Sequence, residues 1–164
     1  MCDCIEPKEI HLHVDNPNED VSPVMVYLSI PASPNYWVVA RLVVSGIGAF
    51  LALTYEDIDD LKISLTEALS NAIEHGYRDS GKEGRVAIVF SIEDDRITVS
   101  VVDRGKGFDI AAMALEEDEN ALSSSEFGLF LMKNLSDKLE IQSSVDMGTK
   151  VVIVKSGDLS TTSI

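Results

Sequence analysis

The chain has 164 residues, 45% of them hydrophobic, and a formal net charge of −15 at pH 7. This length fits one domain with a sizeable core, and the acidity, which serves solubility or partner recognition, argues against direct binding to nucleic acid or a membrane. The two cysteines, Cys2 and Cys4, suit neither a disulfide framework nor a zinc site. With no recognisable signal segment, we expect a cytoplasmic protein.

The first part of the chain is predicted to form a strand and then two helices. VMVYLSI (24–30) is typical of a strand. The apolar segment 36–53 predicts a buried helix, because Arg41 and its glycines argue against a membrane span. Its broad apolar surface also favours a protein interface, including a homodimer. Thr54 is expected to cap the second helix, which ends around Gly76.

The second part is predicted to form two hairpins separated by an irregular segment and a third helix. RVAIVFSI and RITVSVVD, joined by a short link, predict an antiparallel pair. Residues 104–126 are too long for a simple connection, and FGLFLMKNLSDK reads as a helix. LEIQSSV and TKVVIVK predict the last hairpin.

This order of elements predicts an α+β two-layer sandwich, with helices packed on one face of a mixed, mostly antiparallel sheet. We expect the folded domain to span residues 23–155. Residues 1–22 are then an N-terminal extension, and the small polar residues of 156–164 predict a disordered tail.

A stripe of polar residues crosses the second helix in LTEALSNAIEHGY. Glu67, Asn71 and His75 recur at i, i+4 and i+8, which places them on the same helix face. A carboxylate in this position can accept a proton, and an amide oxygen is a neutral hard ligand that suits Mg²⁺. A solvated helix face would show the same spacing, so both interpretations stay open.

Polar or glycine-rich residues also mark the end of one strand and the start of another. In VVDRGKGFD, Asp103 closes an apolar run and can accept a hydrogen bond from an exocyclic amine such as N6 of adenine. Gly105 and Gly107 permit close approach of a ligand to the backbone, although an ordinary turn reads the same. In MGTKVVIV, the Thr149 hydroxyl can reach a base or a bound water, or cap the hairpin.

The third helix begins in SSSEFGLFLM, where serines precede a glycine. Free backbone N–H groups and the positive end of the helix dipole make such a start a usable phosphate site. An ordinary helix capped by a serine is the alternative.

These four segments, in their order along the chain, resemble the histidine-kinase-like ATPase superfamily with its Bergerat-type fold. TEALSNAIEHGY resembles the N box, VVDRGKGFD the first glycine box, SSSEFGLFLM the second, and GTKVVIV the closing strand. Within the superfamily, residues 24–154 are most similar to the anti-sigma factor serine kinases of bacterial stress and sporulation responses. The resemblance implies an ATP- and Mg²⁺-dependent enzyme that binds a sigma factor and phosphorylates a serine on an anti-anti-sigma partner.

The resemblance also implies roles for individual residues. Glu67 would be the general base, Asn71 the Mg²⁺ ligand, and Arg41 a partner-facing arginine. Asp103 would read the adenine amine, and residues 104–127 would form the ATP lid. The residues implied to bind the nucleotide are Asn71, Asp103, Gly105, Gly107, Phe127, Gly128, Leu129 and Thr149.

Two departures from the family pattern leave an alternative open. Glu126 stands where a glycine is usual, and a carboxylate there would repel phosphate. The lid has no basic residue beyond Arg104 and Lys106, so Lys133 or a partner would have to help neutralise phosphate charge. The alternative is therefore a Bergerat-fold binding regulator with weak or no kinase turnover. A detached histidine kinase domain is disfavoured, because no dimerisation helix with a phosphoacceptor histidine is recognised.

Overall fold

The structure is a computed structural model that describes residues 23–77, 84–93, 95–108 and 124–157. The predicted extension 1–22, with Cys2 and Cys4, lies outside the described residues. So do residues 109–123 of the predicted lid and residues 158–164 of the predicted tail.

Five strands form one sheet in the order β1-β2-β3-β5-β4. The strands are β1 (Val24–Pro31), β2 (Arg85–Glu93), β3 (Arg96–Asp103), β4 (Lys138–Ser144) and β5 (Gly148–Ser156). All four pairings among these strands are antiparallel. The predicted α+β sandwich is confirmed. The sheet was expected to be mixed and mostly antiparallel, and the described strands form no parallel pair. The reason is that the last hairpin joins the sheet through β5, which runs antiparallel to β3.

The helices are α1 (Trp37–Phe50), entered through a 3₁₀ turn at Pro34–Tyr36, then α2 (Tyr55–Asn71) and α3 (Ser124–Leu135). Thr54 caps α2 in a reciprocal capping box with Asp57, as its sequence predicts. The α-helical part of α2 ends at Asn71, earlier than predicted. A π-helical turn, Ala72–Tyr77, then carries the chain through Gly76, which is buried within it.

The helices bury one face of the sheet. Alternate residues of β2 and β3 point into this layer because strand side chains alternate between faces. Leucines at helical spacing on α2 cover them. The largest of these buried side chains are Leu61, Leu65 and Leu69 from α2, Val86, Ile88 and Phe90 from β2, and Ile97, Val99 and Val101 from β3.

Helix α1 packs on α2 and keeps an apolar outer side. Gly48 faces Ile58, and a β-carbon placed on Gly48 would lie 2.5 Å from Ile58 Cγ1. Val38, Leu42 and Phe50 are exposed, which fits the predicted protein interface. Within the described part of the chain, no helix has the length and apolar composition needed to cross a bilayer.

A lysine from the last strand joins α2 and α3. Lys155 Nζ lies 3.0 Å from Asp60 Oδ2 and 3.3 Å from Asp57 Oδ1, and it donates to the Leu135 carbonyl at 3.2 Å. Burial alone would lower the pKa of Lys155, but the hydrogen bonds and charges of the two carboxylates outweigh it and raise the pKa. This contact helps fix the position of α3 relative to α2, and these two helices build the site.

Candidate active site

The start of α3 passes directly beside the carboxylate of Glu67. A β-carbon placed on Gly128 would lie 2.6 Å from Glu67 Oε2 and 3.8 Å from Glu67 Cβ. Glu67 is half-buried on α2, whereas Gly128 is buried. A glycine in α3 therefore allows the helix start and the carboxylate to meet, and the structure brings together two residues that the sequence separates by 61 positions.

Asn71 is the last residue of α2 and is half-buried, one helical turn after Glu67. The π-helical turn begins at the next residue. Because a π-turn holds more residues than an α-turn, it rotates the following side chains out of the α-helical stripe. His75 lies in that turn and is exposed. The predicted stripe therefore holds on α2 for Glu67 and Asn71 only.

Asp103 is a buried carboxylate at the end of β3, with 5% of its surface exposed. Burial raises its pKa, and hydrogen bonds from the backbone of Gly105 and Thr149 offset part of this effect. The bond from the Gly105 N–H to Asp103 Oδ1 measures 2.8 Å. A desolvated acceptor of this kind is costly for stability and is typical of a site that receives a donor from a ligand.

The glycine turn after Asp103 is held between two other parts of the chain. A β-carbon on Gly105 would collide with the backbone of Gly76. Gly107 has a φ of +59°, and a β-carbon there would collide with the carbonyl oxygen of Ser144. The groups that approach these two glycines in the described structure are backbone atoms of the π-turn and of the last hairpin, and the approach of a ligand stays a prediction.

Thr149 faces Asp103 across the β3–β5 pairing. Its hydroxyl lies 2.8 Å from Ser143 Oγ, which also accepts a hydrogen bond of 2.9 Å from the Phe108 N–H. Asp103, Ser143 and Thr149 line a cleft of about 450 Å³ together with Met147. Ser143 was not among the predicted site residues. It lies in β4 opposite Thr149, and this pairing in the last hairpin is what indicates that Ser143 belongs to the same cleft.

The other predicted residues of the second glycine box point in different directions. Phe127 is exposed, with 51% of its surface accessible, and Leu129 packs against the core. Glu126 is half-buried in the first turn of α3, and Lys133 is exposed in the last turn, away from the helix start. In this segment, the backbone of Gly128 lies beside the Glu67 carboxylate.

Arg41 lies apart from this cleft, on the exposed side of α1. It lines a groove of about 420 Å³ with Trp37 and Ser45 from α1 and Lys62 from α2. Among the described residues, this groove shares no lining residue with the cleft at Asp103 and Thr149. Arg41 is therefore separate from that cleft.

Comparison with known proteins decides the family. Residues 30–155 match the Histidine kinase-like ATPase domain. The chain belongs to this family. It is 36% identical over 137 residues to the serine-protein kinase RsbW of Bacillus velezensis, covering 79% of this chain and 84% of that protein. It is 35% identical over 124 residues to the serine-protein kinase RsbW of Bacillus subtilis, covering 71% and 77%.

A solved structure agrees on the fold. The RsbU and RsbW domains of a Mycobacterium tuberculosis protein align with a TM-score of 0.60 at 20% identity. The alignment covers 82% of this chain and 32% of that longer chain.

The resemblance noted in the sequence is therefore confirmed: the chain is a protein-serine kinase of the histidine-kinase-like ATPase family. The relatives favour the kinase over the alternative of a binding regulator without turnover. ATP use follows from membership of the family.

Proposed function

We propose that this kinase transfers a phosphoryl group from ATP to a serine of a small anti-anti-sigma protein, and that it also binds a sigma factor. The observation that carries the proposal is the contact between the Glu67 carboxylate and the Gly128 backbone, because it sets a proton acceptor at the start of α3. We place this activity in the cytoplasm and in a domain spanning residues 23–155.

Asp103 and Thr149 would bind the adenine. The buried carboxylate fits an exocyclic amine because it gains a donor where water is excluded. Thr149 supports it through the backbone and through its hydroxyl contact with Ser143. Gly105 and Gly107 shape this end of the site.

The start of α3 would face the phosphates. N–H groups in the first turn of a helix have no intrahelical acceptor and favour an anion. Gly128 directly follows this first turn and places no side chain toward Glu67, and Phe127 and Leu129 flank it. The Phe127 side chain is exposed and available to a bound nucleotide or to a partner.

Glu67 and Asn71 would divide the chemistry between them. Glu67 would accept the proton of the attacking serine hydroxyl, and the start of α3 limits the positions that its carboxylate can take. The Asn71 amide oxygen would be a ligand of Mg²⁺, which supplies neutralisation of phosphate charge when bound. One turn of helix separates the two side chains, so both can face the reacting end of the nucleotide.

Arg41 would bind the protein partners. It stands in a groove with the cation Lys62 and the aromatic Trp37, beside the exposed apolar residues Val38 and Leu42. A cationic centre with an apolar surround suits a partner that presents a carboxylate among apolar side chains. A homodimer that uses the outer side of α1 would compete for the same surface, whereas nucleic acid and membranes are not expected partners.

Copurification from native cells tests this proposal. The chain should carry a sigma factor or a small second protein, and added Mg·ATP should place one phosphoryl group on a serine of the small protein, as read by mass spectrometry. The Arg41→Ala variant should lose both proteins and still bind Mg·ATP. Recovery of the small protein without any uptake of phosphate from Mg·ATP would contradict the kinase assignment.

Calorimetry with Mg·ATP on the parent and on variants of Glu126 distinguishes the kinase from the alternative of a binding regulator. We expect measurable affinity in the parent and a modest gain in Glu126→Gly, because a carboxylate leaves the start of α3. Glu126→Gln is the matched control for charge. No binding by the parent, with strong binding by the glycine variant, would favour the regulator.

A further inference from the structure

Tyr77 bridges two segments of the site that the sequence keeps apart. Its hydroxyl accepts a hydrogen bond from the Arg104 N–H at 2.9 Å and donates one to the Arg85 carbonyl at 2.9 Å. Its ring packs against the core, and a β-carbon on Gly84 would collide with it. Contacts on the sides of the ring and the two hydrogen bonds of the hydroxyl therefore hold the Tyr77 side chain in one position.

Tyr77 contacts the turn that orients the carboxylate of Asp103, the proposed adenine-binding group. Three successive N–H groups of this turn have defined acceptors: the tyrosine hydroxyl for Arg104, Asp103 Oδ1 for Gly105 at 2.8 Å, and the Gly76 carbonyl for Lys106 at 3.3 Å. The first and third acceptors both belong to the π-helical turn. The middle bond fixes the Asp103 carboxylate itself, so the carboxylate is oriented by a turn that the π-turn holds on both sides.

The same π-turn begins directly after Asn71. Its six residues therefore connect the proposed metal ligand at one end to the adenine-binding turn at the other. A shift of the π-turn would move both ends together, because Gly105 and Gly76 are in backbone contact and leave no room for independent movement.

We infer that Tyr77 is a positioning residue for nucleotide recognition: through the Arg104 amide it holds the turn that aims the Asp103 carboxylate. This inference rests on the proposed binding of adenine by Asp103. Tyr77 touches no reacting atom in this account. Its loss should weaken recognition of the base and spare the chemical step.

The test compares Tyr77→Phe with the parent, using ATP and inosine triphosphate, which has a carbonyl in place of the 6-amino group. Loss of the hydroxyl should raise KM for ATP about tenfold and leave kcat at saturating ATP within about twofold. The preference for ATP over inosine triphosphate should fall by a similar factor. Tyr55→Phe, whose side chain is 91% exposed in the first turn of α2, is the matched control and should change none of these values.

A purely structural role would predict a different result. It would lower the melting temperature and the amount of active enzyme, and it would leave the preference between the two nucleotides unchanged. An unchanged preference in Tyr77→Phe would therefore overturn the inference. If the parent itself shows no preference, the adenine assignment of Asp103 is wrong, which distinguishes failure of the proposed function from failure of the inference.

Amide hydrogen exchange provides a measurement that does not depend on the variant folding. In the parent chain, the Arg104 and Gly105 N–H groups should exchange slowly, although Arg104 is exposed, because both N–H groups have fixed acceptors. Exchange of the Arg104 N–H at the rate of an open loop would contradict a stable hydrogen bond between this N–H and the Tyr77 hydroxyl.

Discussion

Substitution of Gly128 by alanine should displace the carboxylate of Glu67, the proposed general base, without disturbing the fold. The new β-carbon would lie 2.6 Å from Glu67 Oε2, whereas its distances to Glu67 Cδ and Cβ, 3.6 and 3.8 Å, are ordinary contacts. To restore an ordinary contact, the carboxylate oxygen must retreat by roughly 0.8 Å. Because the oxygen is the far end of a flexible side chain, the backbone can stay in place.

The displacement gives a magnitude for the loss of activity. A misplacement of about 1 Å in a reacting group costs up to about 100-fold in rate, so we expect kcat to fall by about 10- to 100-fold. KM for ATP should change by less than about threefold, since Asp103 and Thr149 are untouched. The melting temperature should stay the same or rise, because alanine is favoured over glycine inside a helix by about 1 kcal/mol.

Steady-state transfer of phosphate to the partner protein, measured beside thermal unfolding, checks this prediction. Gly46→Ala in α1 is the matched control, because a β-carbon placed there has nothing within 4 Å. A Gly128→Ala variant with the parent's kcat would refute the placement of the base. A rise in KM with kcat intact would instead assign Gly128 to the phosphates alone.

Two further substitutions test the buried charges of the domain. Asp103→Asn should weaken ATP binding by about 10- to 100-fold, the loss of one hydrogen bond to a charged acceptor, when measured by calorimetry. It should also raise the melting temperature at pH 7, because the parent buries an ionised group whose folded pKa is raised. That gain in melting temperature should shrink as the pH falls through the folded pKa of Asp103, because the carboxyl group of the parent becomes neutral there. A gain that stays constant with pH would contradict a cost of burying the ionised carboxylate. Lys155→Met should lower stability by about 2 kcal/mol in urea unfolding, because Asp57 and Asp60 lose their shared cation. The pKa of Lys155 is raised and that of Asp57 lowered, so this contribution should hold across neutral pH and fade only as the pH rises through the pKa of Lys155 or falls through that of Asp57; equal stability of variant and parent at pH 7 would contradict it.

Local patterns predicted the parts of this structure that depend on neighbours in sequence. The capping box at Thr54 and the helical spacing of Glu67 and Asn71 are set within a few residues, so the sequence shows them directly. The alternation in the strands of both hairpins likewise indicates which face is buried.

Contacts between distant segments could not be predicted in the same way. Ser143 meets Phe108 across 35 positions, and Tyr77 meets Arg104 across 27. The π-turn also has no residue signature, so the helix containing Asn71 was predicted to continue regularly to Gly76. Gly105 illustrates the division: the sequence indicates that its backbone can be closely approached, by a ligand or within an ordinary turn, and only the fold identifies Gly76 as the neighbour that approaches it.

We propose that Glu67 accepts the proton of the serine hydroxyl and that ATP binds whether or not this side chain is basic. Glu67→Gln keeps the shape of the side chain and removes its basicity, so the measurement is phosphate transfer to the partner protein alongside calorimetric binding of Mg·ATP. We expect ATP affinity within about threefold of the parent and phosphate transfer reduced by at least about 100-fold. Transfer at the parent rate by this variant would contradict the assignment of the base.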